Sequence, residues 1–211
     1  MNIGIIGGSF DPVHWAHLVI AEQFVEQCEL DRCFSVPAAV NPLKTGAAPA
    51  GGEHRAAMLR LAFDDNPKFA IDRRELERGG KSYTVDTLGS FFVEYPMDNR
   101  FFLIGDDAAA EFTRWHNWQE LLEFTRLCVA PRPVAGRYAD ADPYSGLTRL
   151  SATLAALGVP PDLLPLPVYV PLCEVSSTDV RRRVAEGRSI RYLVPDAVRG
   201  YIYSNKLYHA R

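Results

Sequence analysis

Cysteine, long apolar runs and an excess of either charge are all scarce in this chain. Of 211 residues only Cys28, Cys33, Cys128 and Cys173 are cysteines. They show neither the close pairing of a zinc site nor the density of a disulfide scaffold, so the sequence predicts free thiols in a reducing, cytoplasmic setting. No apolar stretch approaches the roughly 20 residues of a membrane helix. The opening run, Met1-Asn2-Ile3-Gly4-Ile5-Ile6-Gly7-Gly8, has no basic region ahead of it and does not read as a signal peptide. The 23 Lys and Arg against 26 Asp and Glu leave a net charge of −3, without the clustered basic face that duplex nucleic acid requires. Local basic residues are left to serve small anions. With 47% hydrophobic and 23% charged residues the composition is that of an ordinary folded domain, which excludes disordered, collagen-like and coiled-coil chains.

Short continuous apolar runs alternate with amphipathic ones. Strands are predicted at Asn2 to Gly7, Phe34 to Pro37, Phe101 to Ile104 and Leu127 to Ala130, and helices at Trp15 to Cys28, Glu53 to Phe63, Val85 to Tyr95 and Leu147 to Leu157. Runs without polar alternation belong to a parallel sheet covered on both faces, so the sequence predicts a doubly wound α/β fold in one domain over residues 1–211. The stretch from Pro131 to Pro171 holds 8 of the 15 prolines and reads as an irregular connector around one helix, followed by a C-terminal helical segment at 177–208. Ligands of such sheets bind at the carboxyl ends of the strands, and the polar clusters of this chain follow strands.

The richest cluster is Gly7-Gly8-Ser9-Phe10-Asp11-Pro12-Val13-His14-Trp15-Ala16-His17. The glycines allow close approach of a ligand to the backbone, and a helix beginning just beyond them points free amides at anions. His14 and His17 share the first turn of that helix, so the pair predicts a phosphate site, with a two-histidine metal site as its rival. Phe10 reads as core, and Asp11 with Pro12 as turn chemistry. Near the other end of the chain, Val175-Ser176-Ser177-Thr178-Asp179-Val180-Arg181 offers Ser177 or Thr178 as a helix cap and Arg181 one turn later as a forked donor. Ser82-Tyr83-Thr84 precedes a helix whose first amides suit a carboxylate. Trp115 is placed to stack on a flat heteroaromatic ring, whereas Trp118 reads as core.

Together these segments resemble the GG-[ST]-F-D-P-x-H-x-x-H and I-S-S-T-x-[IV]-R signatures of the nucleotidyltransferase superfamily. Within it, Pro37 to Lys44, Arg55 to Leu61, Asp72 to Leu88, Phe102 to Ala108, Trp115 to Leu122 and Arg191 to Leu207 are similar to the bacterial nicotinate-nucleotide adenylyltransferase branch, in motif order and in length. The resemblance implies a Rossmann-like sheet and adenylyl transfer from ATP to nicotinate mononucleotide. It further implies magnesium carried with the ATP and not by a dedicated protein cage, no nucleic-acid or membrane partner, and an oligomeric state left open. By the same resemblance, ATP would meet Gly8, Ser9, Phe10, His14, His17, Gly105, Asp107, Pro131, Arg132, Ser176, Ser177, Thr178 and Arg181. Nicotinate mononucleotide would meet Lys44, Ser82, Tyr83, Thr84 and Trp115, and His17, His14, Arg181 and Lys44 would carry the chemistry. Asp106 has a second reading as a helix cap. Rival readings are phosphopantetheine or nicotinamide mononucleotide as acceptor, a nucleotide sensor without turnover, and a redox Rossmann enzyme. The last lacks its three-glycine fingerprint.

Overall fold

The computed structural model describes residues 1–40, 49–131, 142–171 and 173–209. Its strands are β1 (Asn2–Gly8), β2 (Arg32–Pro37), β3 (Phe69–Ile71), β4 (Asn99–Gly105), β5 (Arg126–Ala130) and β6 (Leu166–Pro167), and its helices α1 (Trp15–Gln27), α2 (Gly52–Phe63), α3 (Arg74–Arg78), α4 (Thr84–Glu94), α5 (Asp106–Ala109), α6 (Trp118–Phe124), α7 (Ser145–Ala156), α8 (Ser177–Ala185) and α9 (Asp196–Ser204). The strands form one parallel sheet in the order β3-β2-β1-β4-β5-β6. The strand order reverses between β1 and β4, which makes the crevice beyond their carboxyl ends the topological switch point.

Period-two side-chain alternation explains why every central strand is apolar on both faces. Ile3, Ile5, Phe34, Val36, Phe102, Ile104, Leu127 and Val129 enter one buried cluster with Val85, Leu88 and Phe91 of α4, Leu121 of α6 and Leu147, Leu150 and Leu154 of α7. On the opposite face Cys33, Leu103, Cys128 and Ala130 meet Phe24 and Val25 of α1. There α1, α2, α8 and α9 join through Ala21, Met58, Leu59, Val180, Val184, Val198 and Ile202. Gly4 is what lets this layer settle: a Cβ there would lie 2.3 Å from the Leu30 side chain and 2.8 Å from Phe24. Packing of α8 and α9 against α1 and α2 carries the second signature to the end of β1.

The 131–171 region contains the expected helix as α7, and adds an edge strand that was not expected, β6, paired with β5 through Cys128–Leu166 and Val129–Pro167. The C-terminal helical segment consists of α8 and α9, joined through residues 186–195. Among the described residues no helix is long and apolar enough to cross a membrane.

Candidate active site

The loop after β1 is built around a buried Phe10 with a left-handed backbone, φ 47°. Its ring packs edge-on against His17, with centroids 5.2 Å apart. Phe10 is therefore a buried support for His17. His14 occupies the N-cap of α1 and His17 the N3 position, and the His14 N–H donates to His17 Nδ1 at 3.2 Å. This is one half of a capping box with imidazole in place of Glu or Gln. Because Nδ1 accepts, the neutral His17 ring carries its hydrogen on Nε2, where it is a donor. The two rings stack with centroids 3.7 Å apart. The structure thus brings both predicted histidines together at the amino end of α1.

The second signature meets the first directly. Arg181 donates through Nη1 to the Asp11 carbonyl at 2.6 Å, and the same nitrogen is 3.6 Å from the Asp11 carboxylate. The Ser177 hydroxyl donates to the Pro12 carbonyl at 2.9 Å. Two segments about 170 positions apart are thereby tied at the β1 switch point. The helix cap is Ser176, not Ser177 or Thr178: its extended backbone (φ −127°, ψ 147°) lets Oγ accept the Asp179 N–H at 3.1 Å. Thr178 Oγ1 instead accepts from Arg181 Nη2 at 3.3 Å. Since the Ser177 hydroxyl is engaged by Pro12, what this residue offers an anion is its backbone N–H at the first position of α8. Asp179 sits one turn in, and the guanidiniums of Arg183 and Arg182 hold its carboxyl below the usual range.

Arg55 was not singled out from its residue type, because arginine is ordinarily a surface residue. It is only 2% exposed, donating to the Ser9 carbonyl (2.9 Å) and the Ala50 carbonyl (2.9 Å). Burial pushes its guanidinium down from the ordinary value, opposed by the charge of Asp11. It fixes the backbone of Ser9 from beneath. The only sequence signal was its place in the Arg55-to-Leu61 segment.

At the other side of the crevice, Gly105 ends β4 and Asp107 is exposed on α5. Asp106 is a helix cap. Its buried carboxylate accepts the N–H groups of Gly146 and Leu147, both at 2.8 Å, and so caps α7 from forty residues away. Gly146 is required there, since a Cβ would lie 2.0 Å from the Asp106 carbonyl oxygen. Pro131 is buried directly after β5, while Lys44 and Arg132 lie outside the described residues.

A third group collects at the amino end of α4. Tyr83 is the N-cap, with no side-chain bond to the first turn, and Thr84 is the first helical residue. Ser82 does not cap the helix: its hydroxyl accepts the Ala39 N–H at 2.9 Å and its own N–H donates to the Val40 carbonyl at 2.9 Å, stitching this turn to the end of β2. The Tyr83 and His116 rings lie 5.0 Å apart. Trp115 follows the 3₁₀ turn Phe112–Arg114 and is half-buried, tilted on Phe112 at 5.5 Å and edge-on to Phe102 at 6.4 Å. Its indole nitrogen is buried without a hydrogen-bond partner among the described residues. Trp118 packs partly buried against the core cluster, as its core reading required. The described residues contain no group of three or more His, Cys, Asp or Glu placed to hold a metal ion.

The site is therefore a row of donors: imidazoles, helix amides and a guanidinium at the β1 end, and amides beside aromatic rings at the α4 end. Residues 5–183 match the cytidylyltransferase-like family. A Roseiflexus protein named "Probable nicotinate-nucleotide adenylyltransferase" is 42% identical over 206 residues, covering 98% of this chain and 97% of its own. A Thermus thermophilus protein of the same name is 41% identical over 211 residues, covering 99% and 100%. Among solved structures, the Plasmodium falciparum nicotinic acid mononucleotide adenylyltransferase complexed with NaAD superimposes with a TM-score of 0.73 at 20% identity, over 98% of this chain and 97% of that one, a likeness of fold. With that span of matched residues and that identity over nearly the full length of its relatives, the chain belongs to the nicotinate-nucleotide adenylyltransferase branch of the cytidylyltransferase-like family.

Proposed function

We propose that the protein transfers the adenylyl group of ATP to nicotinate mononucleotide, giving nicotinate adenine dinucleotide and pyrophosphate, as a cytoplasmic step of NAD synthesis. The observation that carries this reading is the junction of the two signatures, with Arg181 and Ser177 bonded to the Asp11 and Pro12 carbonyls beside the stacked histidines. In this reaction an oxygen of the acceptor's 5′-phosphate forms a bond to the α-phosphorus as the bond to the leaving pyrophosphate breaks. The attacking group is already largely dianionic near neutral pH, with a second pKa of about 6, so no general base is needed. Alignment of two anions and stabilisation of developing charge remain the protein's work.

His17, through Nε2–H, and His14 meet the triphosphate, with the backbone of Gly8 and Ser9 beneath it. The rings stack at 3.7 Å, and the neutral His17 ring, with Nδ1 accepting the His14 N–H, donates to phosphate without the repulsion that two imidazolium rings at that distance would suffer. Arg181, with the amides of Ser177 and Thr178 behind the Ser176 cap, holds the leaving pyrophosphate; the resemblance assigns Lys44 to the region between the substrates. Gly105 and Asp107 face the ribose and Pro131 the adenine, and the resemblance assigns Arg132 to the adenine or the phosphates. Nicotinate mononucleotide stacks on Trp115 and places its carboxylate on the amides near Tyr83 and Thr84, where Ser82 fixes the turn. Magnesium carried in with ATP would supply charge neutralisation. The donors of this site suit phosphate oxygens and not a hard cation, so they hold the nucleotide that carries the ion.

Pyrophosphate release from ATP, measured with nicotinate mononucleotide, nicotinamide mononucleotide and phosphopantetheine in turn, tests the reading. Release is expected to be fastest with the first and absent with the last. Binding of ATP with no release in the presence of any acceptor would make the protein a nucleotide sensor.

A further inference from the structure

Beneath the β1 loop a half-buried tyrosine has no task in that reaction. Tyr208, close to the carboxyl end, donates its hydroxyl to Asp11 Oδ1 at 2.7 Å across 197 positions of sequence. The same oxygen accepts the Ala50 N–H at 3.0 Å, and Arg55 fixes Ala50 by taking its carbonyl. Asp11 is itself 7% exposed. Burial, and then the charge of Asp11, push the Tyr208 hydroxyl up beyond any physiological titration, so it remains a donor. Tyr208 and Lys206 both have left-handed backbones, φ 64° and 51°. Such conformations persist in non-glycine residues only where the surroundings over-determine them. Tyr208 and Leu207 pack against the Phe10 and Val13 cluster, which provides that constraint.

This arrangement decides how Arg181 is used. Asp11 Oδ1 is satisfied by two neutral donors, and Arg181 takes the Asp11 backbone carbonyl at 2.6 Å while standing 3.6 Å from Oδ2. Its charge is therefore not closed into a tight carboxylate pair and is left to face an anion. Without the tyrosine hydroxyl, Oδ1 would keep a single donor, and the carboxylate would gain by turning onto the guanidinium. We propose that Tyr208 is a positioning residue: by occupying the Asp11 carboxylate it holds Arg181 open toward pyrophosphate. The proposal rests on the assignment of Arg181 to phosphate and does not depend on which acceptor is used.

Tyr208→Phe removes the hydroxyl and keeps the ring, and the probe is inorganic pyrophosphate with magnesium, titrated by calorimetry. The dissociation constant is expected to rise about tenfold, the scale of a lost hydrogen bond to a charged group, with a thermal midpoint close to wild type. The second arm repeats the substitution in an Asp11→Asn background. A carboxamide cannot form the competing ion pair, so there Tyr208→Phe is expected to shift the pyrophosphate constant by less than about twofold. Unchanged pyrophosphate binding in Tyr208→Phe, or a loss of the same size in the Asp11→Asn background, overturns the proposal. Failure of wild-type protein to use nicotinate mononucleotide would overturn the acceptor assignment alone, because pyrophosphate binding is read without it.

Discussion

At the β1 end of the site, three side chains from two distant segments are held by hydrogen bonds to backbone carbonyls: Arg181 to Asp11 and Ser177 to Pro12 from α8, and Arg55 to Ser9 from α2. At the α4 end, the side chains of Tyr83, His116 and Trp115 are held by ring packing among the described residues, at centroid distances of 5.0 to 6.4 Å. The difference follows from what each end must recognise. Charge that develops on phosphorus oxygens is stabilised only by donors already fixed in direction, since reorienting them during the reaction would forfeit the gain. A flat heteroaromatic ring is held by contact that tolerates small shifts, and direction matters only for its one polar substituent. The rigid end should govern turnover, and the packed end affinity and choice of acceptor.

The sharpest break of that contrast is His17→Ala. It removes a donor aimed at transition-state charge, and kcat should fall at least ~100-fold with the thermal midpoint little altered. A fall of less than tenfold in a stable variant would place turnover elsewhere. Arg181→Lys comes next, because a point charge cannot reproduce a forked contact. A loss of about tenfold or more in kcat/KM for ATP is expected, and unchanged values would move Arg181 outside the site. Asp106→Ala tests the wall between the two ends. It leaves the N–H groups of Gly146 and Leu147 without their buried acceptor and should cost about 2 kcal/mol of stability. That corresponds to roughly 4–8 °C in the thermal midpoint for a chain of this size. A melt identical to wild type would show that α7 does not depend on this cap. The smallest effect is expected from Trp115→Ala, which should raise KM about tenfold for nicotinate and nicotinamide mononucleotides alike, since stacking does not distinguish acid from amide. A large fall in kcat instead would give the packed end a part in turnover.

Much of this arrangement was legible in the sequence where burial is continuous. The runs that became β1, β2, β4 and β5 are apolar on both faces, and four of the helices carry long enough apolar stripes to be read directly. The edge strands were not: β3 has three residues and β6 two, one of them proline, too few for any periodicity to show. The residues proposed to meet phosphate stood out in the sequence because glycine pairs, histidines at helical spacing and a serine run before arginine each have a local mechanism. Which serine caps α8 was not, because the choice depends on the backbone angles of Ser176. Long-range polar bonds were invisible altogether. Nothing near Asp106 announces α7 forty residues on, and nothing near Tyr208 or Arg55 announces the loop after β1.

The most direct test of the account is the ratio of kcat/KM for nicotinate mononucleotide to that for nicotinamide mononucleotide in the wild-type protein. A carboxylate can accept from every amide at the start of α4, whereas a carboxamide must turn its NH₂ toward a donor or leave a buried group unpaired, at about 1–3 kcal/mol. The helix terminus adds to the preference for the charged group. The account predicts a ratio of at least about tenfold in favour of the acid, retained in Trp115→Ala. Equal use of the two mononucleotides would contradict it.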